Sequence, residues 1–242
     1  MYPTSLLNIE SQETLQEIDW IFYLLKTDSG RWIMFDSGFI DEKYIPIFGI
    51  KNFRSPIDIL KKLDLISENV TDIFISHSHF DHIDGIKSFP NAKIYIQEKE
   101  YFYFKTSDIY LANKDFYDNL FAIGNIVLLS GETSIFGFLQ VYPSYGHTPG
   151  SQAFKINTDS IDFILTGDEC YITSECLKGV SLPKGAVYNS SNNKKFIQMI
   201  QRPSKNFQKK IILTMHDPIN RKIYKKIESF IQLIYQKNTK NK

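Results

Sequence analysis

The sequence has few cysteines, no long apolar run and a net charge of only +1. Two cysteines in 242 residues do not make the disulfide framework of a small secreted protein. A redox pair or a metal thiolate is the functional alternative for Cys170 and Cys176; we expect two reduced cysteines near a loop. No apolar run reaches the roughly 18 residues of a membrane-spanning helix, and the first residues lack a secretory pattern. We therefore expect a cytoplasmic protein with no membrane partner.

The balance of charge also argues against nucleic acid as a partner. Lysine and arginine number 28 against 27 acidic residues, so the chain as a whole offers no excess positive charge. With 43% hydrophobic and 23% charged residues, the composition is that of an ordinary globular protein. We expect one domain that spans residues 1–242, and a homo-oligomer is compatible with this composition.

Apolar and β-branched runs alternate with helical patterns and predict a mixed α and β protein. Strands are predicted at 20–26, 31–38, 70–76, 92–97, 125–130, 139–144, 151–156, 161–168 and 209–217. Helices are predicted at 56–63, 97–105, 192–201 and 219–236. Short turns join most strands before residue 170, which favours sheets with many antiparallel neighbours. The amphipathic pattern of 219–236 predicts a helix that docks on the protein's own sheet.

Three of the five histidines lie within six consecutive positions, in the stretch SHSHFDHIDG at residues 76–85. His77 and His79 stand at the carboxyl end of a predicted strand, where residues two apart point to the same side and can bind one ion. Asp81 and His82 follow where the chain turns. Three imidazoles and a carboxylate that converge in this way predict a divalent metal site, with zinc as the first choice.

The other two histidines also follow predicted strands. His147 lies in SYGHTPGS and His216 in TMHDP, and Asp168 lies in FILTGDECY at a third strand end. Because sheets deliver the ends of their strands to a common rim, we expect these side chains to meet the first cluster. All five histidines then serve one site.

These motifs resemble those of the metallo-β-lactamase superfamily. HSHFDH resembles its HxHxDH signature, GHTPGS its second metal motif, LTGD and His216 the remaining two, and FDSG at 35–38 the turn that precedes the signature. The resemblance runs from about residue 20 to residue 217. It implies an α/β fold, the αββα sandwich, with the metal site at the edge between the two sheets.

The resemblance also implies a role for each residue of the motifs. Seven side chains would bind two metal ions: His77, His79 and His147 the first, Asp81, His82 and His216 the second, with Asp168 bridging both. Asp36 resembles the carboxylate that orients a metal ligand from outside, and an ordinary turn residue is the alternative. Zinc is the expected metal, with iron, manganese and cobalt as alternatives.

Two divalent ions roughly 3.5–4 Å apart can share a hydroxide at neutral pH, and this predicts a hydrolase without a serine or cysteine nucleophile. The second site here lacks the cysteine of typical zinc β-lactamases. Tyr171, three residues after Asp168, resembles the tyrosine that faces the metal centre of N-acyl-homoserine lactone lactonases; ordinary packing is the alternative. There a phenol can donate a hydrogen bond to the developing oxyanion, and Asp81 can deliver the proton to the leaving ring oxygen.

The expected substrate is therefore an N-acyl-homoserine lactone, whose hydrolysis destroys a bacterial signal (quorum quenching). Another ester, lactone or thioester, as in glyoxalase II, is the alternative on the same site. A mononuclear iron enzyme of the persulfide dioxygenase type is a further alternative. Two aromatic runs are candidate walls for an acyl chain, although such runs more often belong to the core: Phe39, Ile40, Tyr44, Ile47, Phe48 and Phe53, and Phe102, Tyr103 and Phe104.

Overall fold

The computed structural model describes residues 2–3, 15–203, 209–228 and 231–233, and two five-stranded sheets dominate it. The strands are β1 Tyr2–Pro3, β2 Leu15–Gln16, β3 Tyr23–Lys26, β4 Trp32–Phe35, β5 Val70–Phe74, β6 Lys93–Gln97, β7 Ile126–Leu129, β8 Thr133–Ile135, β9 Leu139–Pro143, β10 Gln152–Asn157, β11 Ile161–Leu165, β12 Lys209–Leu213, β13 Lys225–Glu228 and β14 Ile231–Leu233.

Helices flank both sheets. They are α1 Tyr44–Phe48, α2 Pro56–Lys61, α3 Phe80–Ile83, α4 Glu98–Phe104, α5 Asp108–Ala112, α6 Lys114–Ala122, α7 Thr173–Leu177, α8 Ser190–Gln201 and α9 Asn220–Ile223. Short 3₁₀ turns occur at Ser67–Asn69, Asp84–Ser88, Gly167–Glu169 and Lys184–Ala186. None of the helices in the described part of the chain is long and apolar enough to cross a membrane.

The first sheet has the strand order β3-β4-β5-β6-β7. Its β3–β4 pair is antiparallel, and its other three pairs are parallel, joined by crossovers that carry helices. Alternate residues of each strand enter two different cores, because successive side chains point to opposite faces. Ile73 and Ile75 pack under the helices, and Phe74 between them faces the second sheet. Burial on both faces explains why these strands read as continuous apolar runs.

The second sheet has the order β12-β11-β10-β9-β8 and is antiparallel except for the β11–β12 pair. Phe154 and Leu165 of this sheet pack between the two sheets against Phe35 and Phe74 of the first. Ile164 faces the other way and packs under α8. Each such fully buried apolar side chain stabilises the fold by about 1.5–3 kcal/mol. The layers are thus helix, sheet, sheet and helix, which confirms the predicted αββα sandwich.

Two expectations are wrong in part. The predicted prevalence of antiparallel neighbours holds for the second sheet, but the first is mostly parallel because helices connect its strands. The predicted helix over 219–236 is limited to α9; the chain then forms the antiparallel pair β13–β14, and residues 229–230 and 234–236 lie outside the described part. Five residues of this run are isoleucine, a β-branched residue that favours strands.

Candidate metal centre

The seven side chains predicted to bind metal converge where strands of both sheets end. His77 and His79 follow β5, His147 lies between β9 and β10, Asp168 follows β11, and His216 follows β12. Asp81 and His82 lie on α3, directly after this strand end. The backbone N–H of Gln152 donates to the carbonyl of Ser76 at 2.9 Å and joins the loops of the two sheets at this point.

The first group of donor atoms comes from three histidines and one aspartate. Nδ1 of His79 lies 3.0 Å from Nε2 of His77 and 3.0 Å from Nε2 of His147. Oδ2 of Asp168 lies 3.8 Å from Nε2 of His77 and 3.6 Å from Nε2 of His147. All four atoms lie within 4.8 Å of one another.

The second group adjoins the first and shares Asp168 with it. Oδ1 of Asp168 lies 3.2 Å from Nε2 of His82 and 3.1 Å from Nε2 of His216. Oδ2 of Asp81 lies 3.2 Å and 3.5 Å from the same two nitrogens. Asp168 therefore directs one carboxylate oxygen to each group, as a bridging ligand between two ions would.

The spacing and chemistry of these atoms fit divalent metal ions. Metal–ligand distances of about 2.0–2.2 Å in a tetrahedron separate the ligand atoms by roughly 3.3–3.6 Å, close to the distances in both groups. Nε2 of His82 and Oδ1 of Asp168 are buried, and neither has a hydrogen-bond partner among the residues that the structure describes. Buried polar atoms without partners are costly, and a cation bound between them would remove that cost.

Hydrogen bonds on the far side of the rings fix which nitrogen faces the centre. Nδ1 of His82 lies 2.8 Å from Oδ2 of Asp36, Nδ1 of His216 lies 2.8 Å from the carbonyl of Asp19, and Nδ1 of His147 lies 2.6 Å from the carbonyl of Ala186. Each acceptor holds the ring proton on Nδ1 and leaves the Nε2 lone pair for a metal.

Asp36 sits outside the donor groups, in the position expected of an orienting carboxylate. Besides His82, it accepts hydrogen bonds from the backbone N–H of Ser76 at 2.6 Å and from the Ser76 hydroxyl at 2.8 Å. It is fully buried and has a left-handed φ of 54°, which few residues other than glycine adopt. The same residue therefore forms the turn and contacts His82.

The two donor groups differ in their electrostatics. Burial, with His82 beside it, lowers the pKa of His77 well below the usual range, and burial with His147 beside it lowers the pKa of His79 to about 4. These two rings are therefore neutral near pH 7, which is the protonation state that a metal ligand needs.

Carboxylates reverse this effect in the second group. Burial would lower the pKa of His82 and His216, but Asp168 and Asp81 outweigh it and raise both. Burial would raise the pKa of Asp81 and Asp168, but the same imidazoles hold both below the usual range. Without metal, protonated rings in this group occupy the place that cations would take.

Tyr171 lies beside both groups. Its ring centroid is 5.3 Å from that of His216 and 6.1 Å from that of His147, with the rings nearly perpendicular in each pair. The 3₁₀ turn that carries Asp168 ends just before it. Its phenol therefore belongs to a loop that begins at the shared aspartate.

Part of the first aromatic run forms a wall next to α3. The Phe80 ring stacks on Tyr44 with centroids 3.9 Å apart and on Phe48 at 4.9 Å. Trp20, which sequence reasoning missed, packs against Phe80 at 5.1 Å and approaches His216 at 6.0 Å. Phe39 is buried under this wall and belongs to the core.

The second aromatic run divides differently. Phe104 is buried in the core beneath the helices, whereas Phe102 and Tyr103 are exposed to 58% and 41%. Phe102 lines a separate groove of about 450 Å³ together with Lys99, Tyr145, Pro149, Tyr188 and Asn192.

The expectation of two reduced cysteines is wrong in this structure. Cys170 and Cys176 form a disulfide across the loop that contains Tyr171. The chain turns into α7 at Thr173, which brings the two Cα atoms within 6.0 Å, a separation that a disulfide can bridge. Both cysteines are buried.

Sequence reasoning also missed two buried glutamates that contact the loops around the donor atoms. Glu169 accepts hydrogen bonds from the backbone of Gly146 and His147, and Glu100 accepts them from Ser78 and Thr148. Glu169 directly follows Asp168 in the third motif, and that adjacency was the available signal. No comparable signal marks Glu100 in the sequence.

Comparisons with known proteins were made at the level of sequence and of structure. The family model described as the metallo-beta-lactamase superfamily matches residues 22–195. An N-acyl homoserine lactonase of a Bacillus species is 29% identical over 164 residues, which cover 62% of this chain and 63% of that protein. The chain thus matches less than two thirds of that relative's length. The N-acyl homoserine lactonase AttM of Agrobacterium fabrum is 26% identical over 83% of this chain and 76% of its own.

Solved structures show the same fold at lower identity. An AiiA variant of B. thuringiensis, with N-decanoyl-L-homoserine bound at its active site, superposes with a TM-score of 0.75 at 22% identity. That match covers 91% of this chain and 90% of the other. AidC, described as a dizinc quorum-quenching lactonase, superposes with a TM-score of 0.57 at 20% identity over 81% of this chain and 71% of its own. The family model, the sandwich and the order of the motifs agree: the chain belongs to the metallo-beta-lactamase superfamily.

Proposed function

We propose that the protein is a dinuclear metal-dependent hydrolase that opens the lactone ring of N-acyl-homoserine lactones. The observation that carries the proposal is the shared Asp168, which directs one carboxylate oxygen to each donor group. The ring centroid of Tyr171 lies within 6.1 Å of that of one histidine from each group. The relatives named as N-acyl homoserine lactonases support the same substrate class.

In this proposal two divalent ions, zinc by preference, bind to the two donor groups. His77, His79 and His147 would hold the first, and Asp81, His82 and His216 would hold the second, with one oxygen of Asp168 directed to each group. When bound, the ions supply a nucleophile from water at neutral pH and polarise the carbonyl that it attacks.

The side chains around the ions handle the charge and the proton of the reaction. The Tyr171 hydroxyl donates a hydrogen bond to the lactone carbonyl oxygen as it gains negative charge. Attack forms a bond from water oxygen to the carbonyl carbon, and the ring C–O bond then breaks. The Asp81 carboxylate, which faces His82 and His216, takes up the proton released in the attack and delivers it to the departing ring oxygen.

The acyl chain needs an apolar surface near this chemistry. Tyr44, Phe48 and Phe80 provide one: their stacked rings stand at the start of α3, next to Asp81. Trp20 extends the wall toward His216. An acyl chain laid along these rings would place its lactone over the second donor group.

The test is ring opening by purified, metal-loaded protein. We expect proton release from N-acyl-homoserine lactones, with the acyl-homoserine identified by mass spectrometry, and loss of activity after chelation that returns when zinc is restored. Acyl chains of different length, simple esters and thioesters belong in the same panel. Inertness toward every acyl-homoserine lactone by protein that carries two ions would overturn the proposal, and turnover of a thioester alone would assign the site to that substrate.

A further inference from the structure

The loop at residues 144–151 carries His147 and is held on one side by a buried carboxylate, that of Glu169. Its Oε1 accepts hydrogen bonds from the backbone N–H of Gly146 at 2.9 Å, from that of His147 at 2.8 Å and from the Ser151 hydroxyl at 2.7 Å. Its Oε2 accepts one from the Asn193 amide of α8 at 2.7 Å. Glu169 is 1% exposed, so these four bonds replace its hydration.

A second buried carboxylate, that of Glu100 in α4, holds the other side of the same loop. Its Oε2 accepts from the Thr148 hydroxyl at 2.6 Å and from the backbone N–H of Gly150 at 2.9 Å. Its Oε1 accepts from the backbone N–H of Ser78 at 2.8 Å and from the Ser78 hydroxyl at 2.6 Å. Because Ser78 lies between His77 and His79, Glu100 ties together the two loops that supply all three histidines of the first donor group.

The two glycines of the loop are required by this close packing. A Cβ atom on Gly146 would lie 2.2 Å from Oε2 of Glu169, and one on Gly150 would lie 2.1 Å from the backbone nitrogen of Glu100. The motif GHTPG therefore leaves room for the Glu169 carboxylate next to Gly146 and for the Glu100 backbone next to Gly150. Its two glycines allow the loop to approach both glutamates closely.

We propose that Glu100 and Glu169 are positioning residues that set the geometry of the first donor group before a metal binds. The inference rests on the metal centre of the proposed function and adds the residues that determine its affinity. Neither side chain is among the donor atoms: Glu169 acts through the backbone N–H of His147 and Glu100 through that of Ser78, the neighbour of His77 and His79. Both oxygens of each side chain accept hydrogen bonds, so each position needs a group that accepts on both sides.

Substitution of glutamate by glutamine isolates this requirement, because it keeps the size of the side chain. In E169Q one amide N–H must face either the Asn193 amide or the loop N–H groups, and two donors then oppose each other. In E100Q the conflict falls on Ser78 or on Thr148 and Gly150. Loss of an outer partner of this kind lowers metal affinity about tenfold to a hundredfold.

The control is D72N, which changes a buried carboxylate in the body of β5. Asp72 is 1% exposed and accepts hydrogen bonds from Arg31 at 2.8 Å and from Tyr95 at 3.0 Å, but it contacts neither donor group. The D72N variant therefore measures how far a general loss of stability changes metal affinity.

The measurements are zinc affinity by chelator competition, the visible spectrum of the cobalt-substituted protein, and thermal unfolding of the metal-free protein. We expect E169Q and E100Q to bind one of two ions about tenfold to a hundredfold more weakly, with a changed cobalt spectrum, while D72N binds both ions as the wild-type protein does. Folded glutamine variants with wild-type affinity and spectrum would overturn the inference. So would an equal loss of affinity in D72N. A wild-type protein that binds no metal would overturn the proposed function itself.

Discussion

At the scale of single residues, the ring orientation of His82 depends on one side chain from another loop. Asp36 accepts the Nδ1 proton of His82 and also the backbone N–H of Ser76, so it fixes a ligand and the strand end beside it. The left-handed φ of Asp36 aims its carboxylate at this point. A neutral amide at position 36 could accept at only one of its two terminal atoms.

We predict that Asp36→Asn lowers the affinity for one of the two ions about tenfold to a hundredfold, since an outer partner of a ligating histidine is weakened. Metal content after dialysis against a graded chelator series measures the loss. The exposed carboxylate of Asp58 offers a control: Asp58→Asn, at the start of α2, should keep both ions. Full retention of both ions by Asp36→Asn would contradict the role of this contact.

The Tyr171 hydroxyl allows a separate prediction, because its loss removes a donor and leaves the ring in place. We predict that Tyr171→Phe keeps both metal ions and loses about a hundredfold in kcat, the lower end of what removal of one oxyanion donor costs. Steady-state kinetics with metal analysis on the same samples test this. Tyr103→Phe, which changes an exposed tyrosine of α4, should match the wild-type rate. An unchanged kcat in Tyr171→Phe would reduce Tyr171 to a packing residue.

At the scale of elements, the hydrophobic pattern of the sequence predicts where strands lie but not how they pair. Each of the nine predicted strands overlaps an observed one, because apolar runs such as 70–76 are buried on both faces of a sheet. The parallel pairing of β4 to β7 was missed, since it depends on which strands a crossover brings together. The C-terminal run 219–236 was misjudged because its isoleucines fit a helical stripe and a strand equally well. Strand β8 has only three residues and gave no pattern.

The loop closed by the disulfide is the element for which the structure departs most from the expectation of two reduced cysteines. Cys170 and Cys176 close a loop of seven residues around Tyr171, and Thr173 in this loop donates its backbone N–H to Asp217, the residue after His216. Loop closure of this length stabilises a fold by about 2 kcal/mol in the chain-entropy treatment. The bond therefore holds Tyr171 next to the second donor group.

We predict that Cys176→Ser lowers the free energy of unfolding by about 2 kcal/mol and reduces kcat, since the Tyr171 loop loses its brace. Urea unfolding and steady-state kinetics measure the two effects. In a Tyr171→Phe background the same substitution should leave kcat unchanged, because the hydroxyl that it displaces is already gone. Alkylation of the unfolded wild-type protein, followed by mass spectrometry, provides the direct check: two freely alkylated thiols would refute the disulfide.

At the scale of the whole molecule, the candidate centre gathers ligands from chain segments between residues 77 and 216. The motifs were readable in the sequence because ligands need particular residue types at strand ends. Of their outer partners, Asp36 lies in a motif and was predicted, whereas the carbonyl of Asp19 and the carboxylate of Glu100 become neighbours of the centre only through the fold. That the chain forms one domain over 1–242 stays a prediction.

The histidines of the two donor groups also make the stability of the folded protein depend on pH and on metal binding. In the metal-free protein the raised pKa values of His82 and His216 mean that folding favours their protonation. This contribution is present in full below the unfolded value of about 6.5 and is lost as pH rises through the raised values. The lowered pKa values of His77 and His79 have the opposite sign: folding resists their protonation, so stability falls as pH drops below about 6.5.

We therefore predict that the metal-free protein is most stable near neutral pH and loses stability on both sides, through the second donor group above pH 7 and through the first below pH 6. Metal ions replace the protons of His82 and His216, so the gain in Tm on zinc binding should grow from pH 7 to pH 9. Thermal unfolding of chelator-treated and zinc-loaded protein across pH 5.5–9 tests both statements. His216→Gln removes one of the two histidines with a raised pKa, and it should reduce the loss of Tm at alkaline pH in the metal-free protein. A gain in Tm on zinc binding that shrinks with rising pH would show that these rings do not hold protons in competition with the metal.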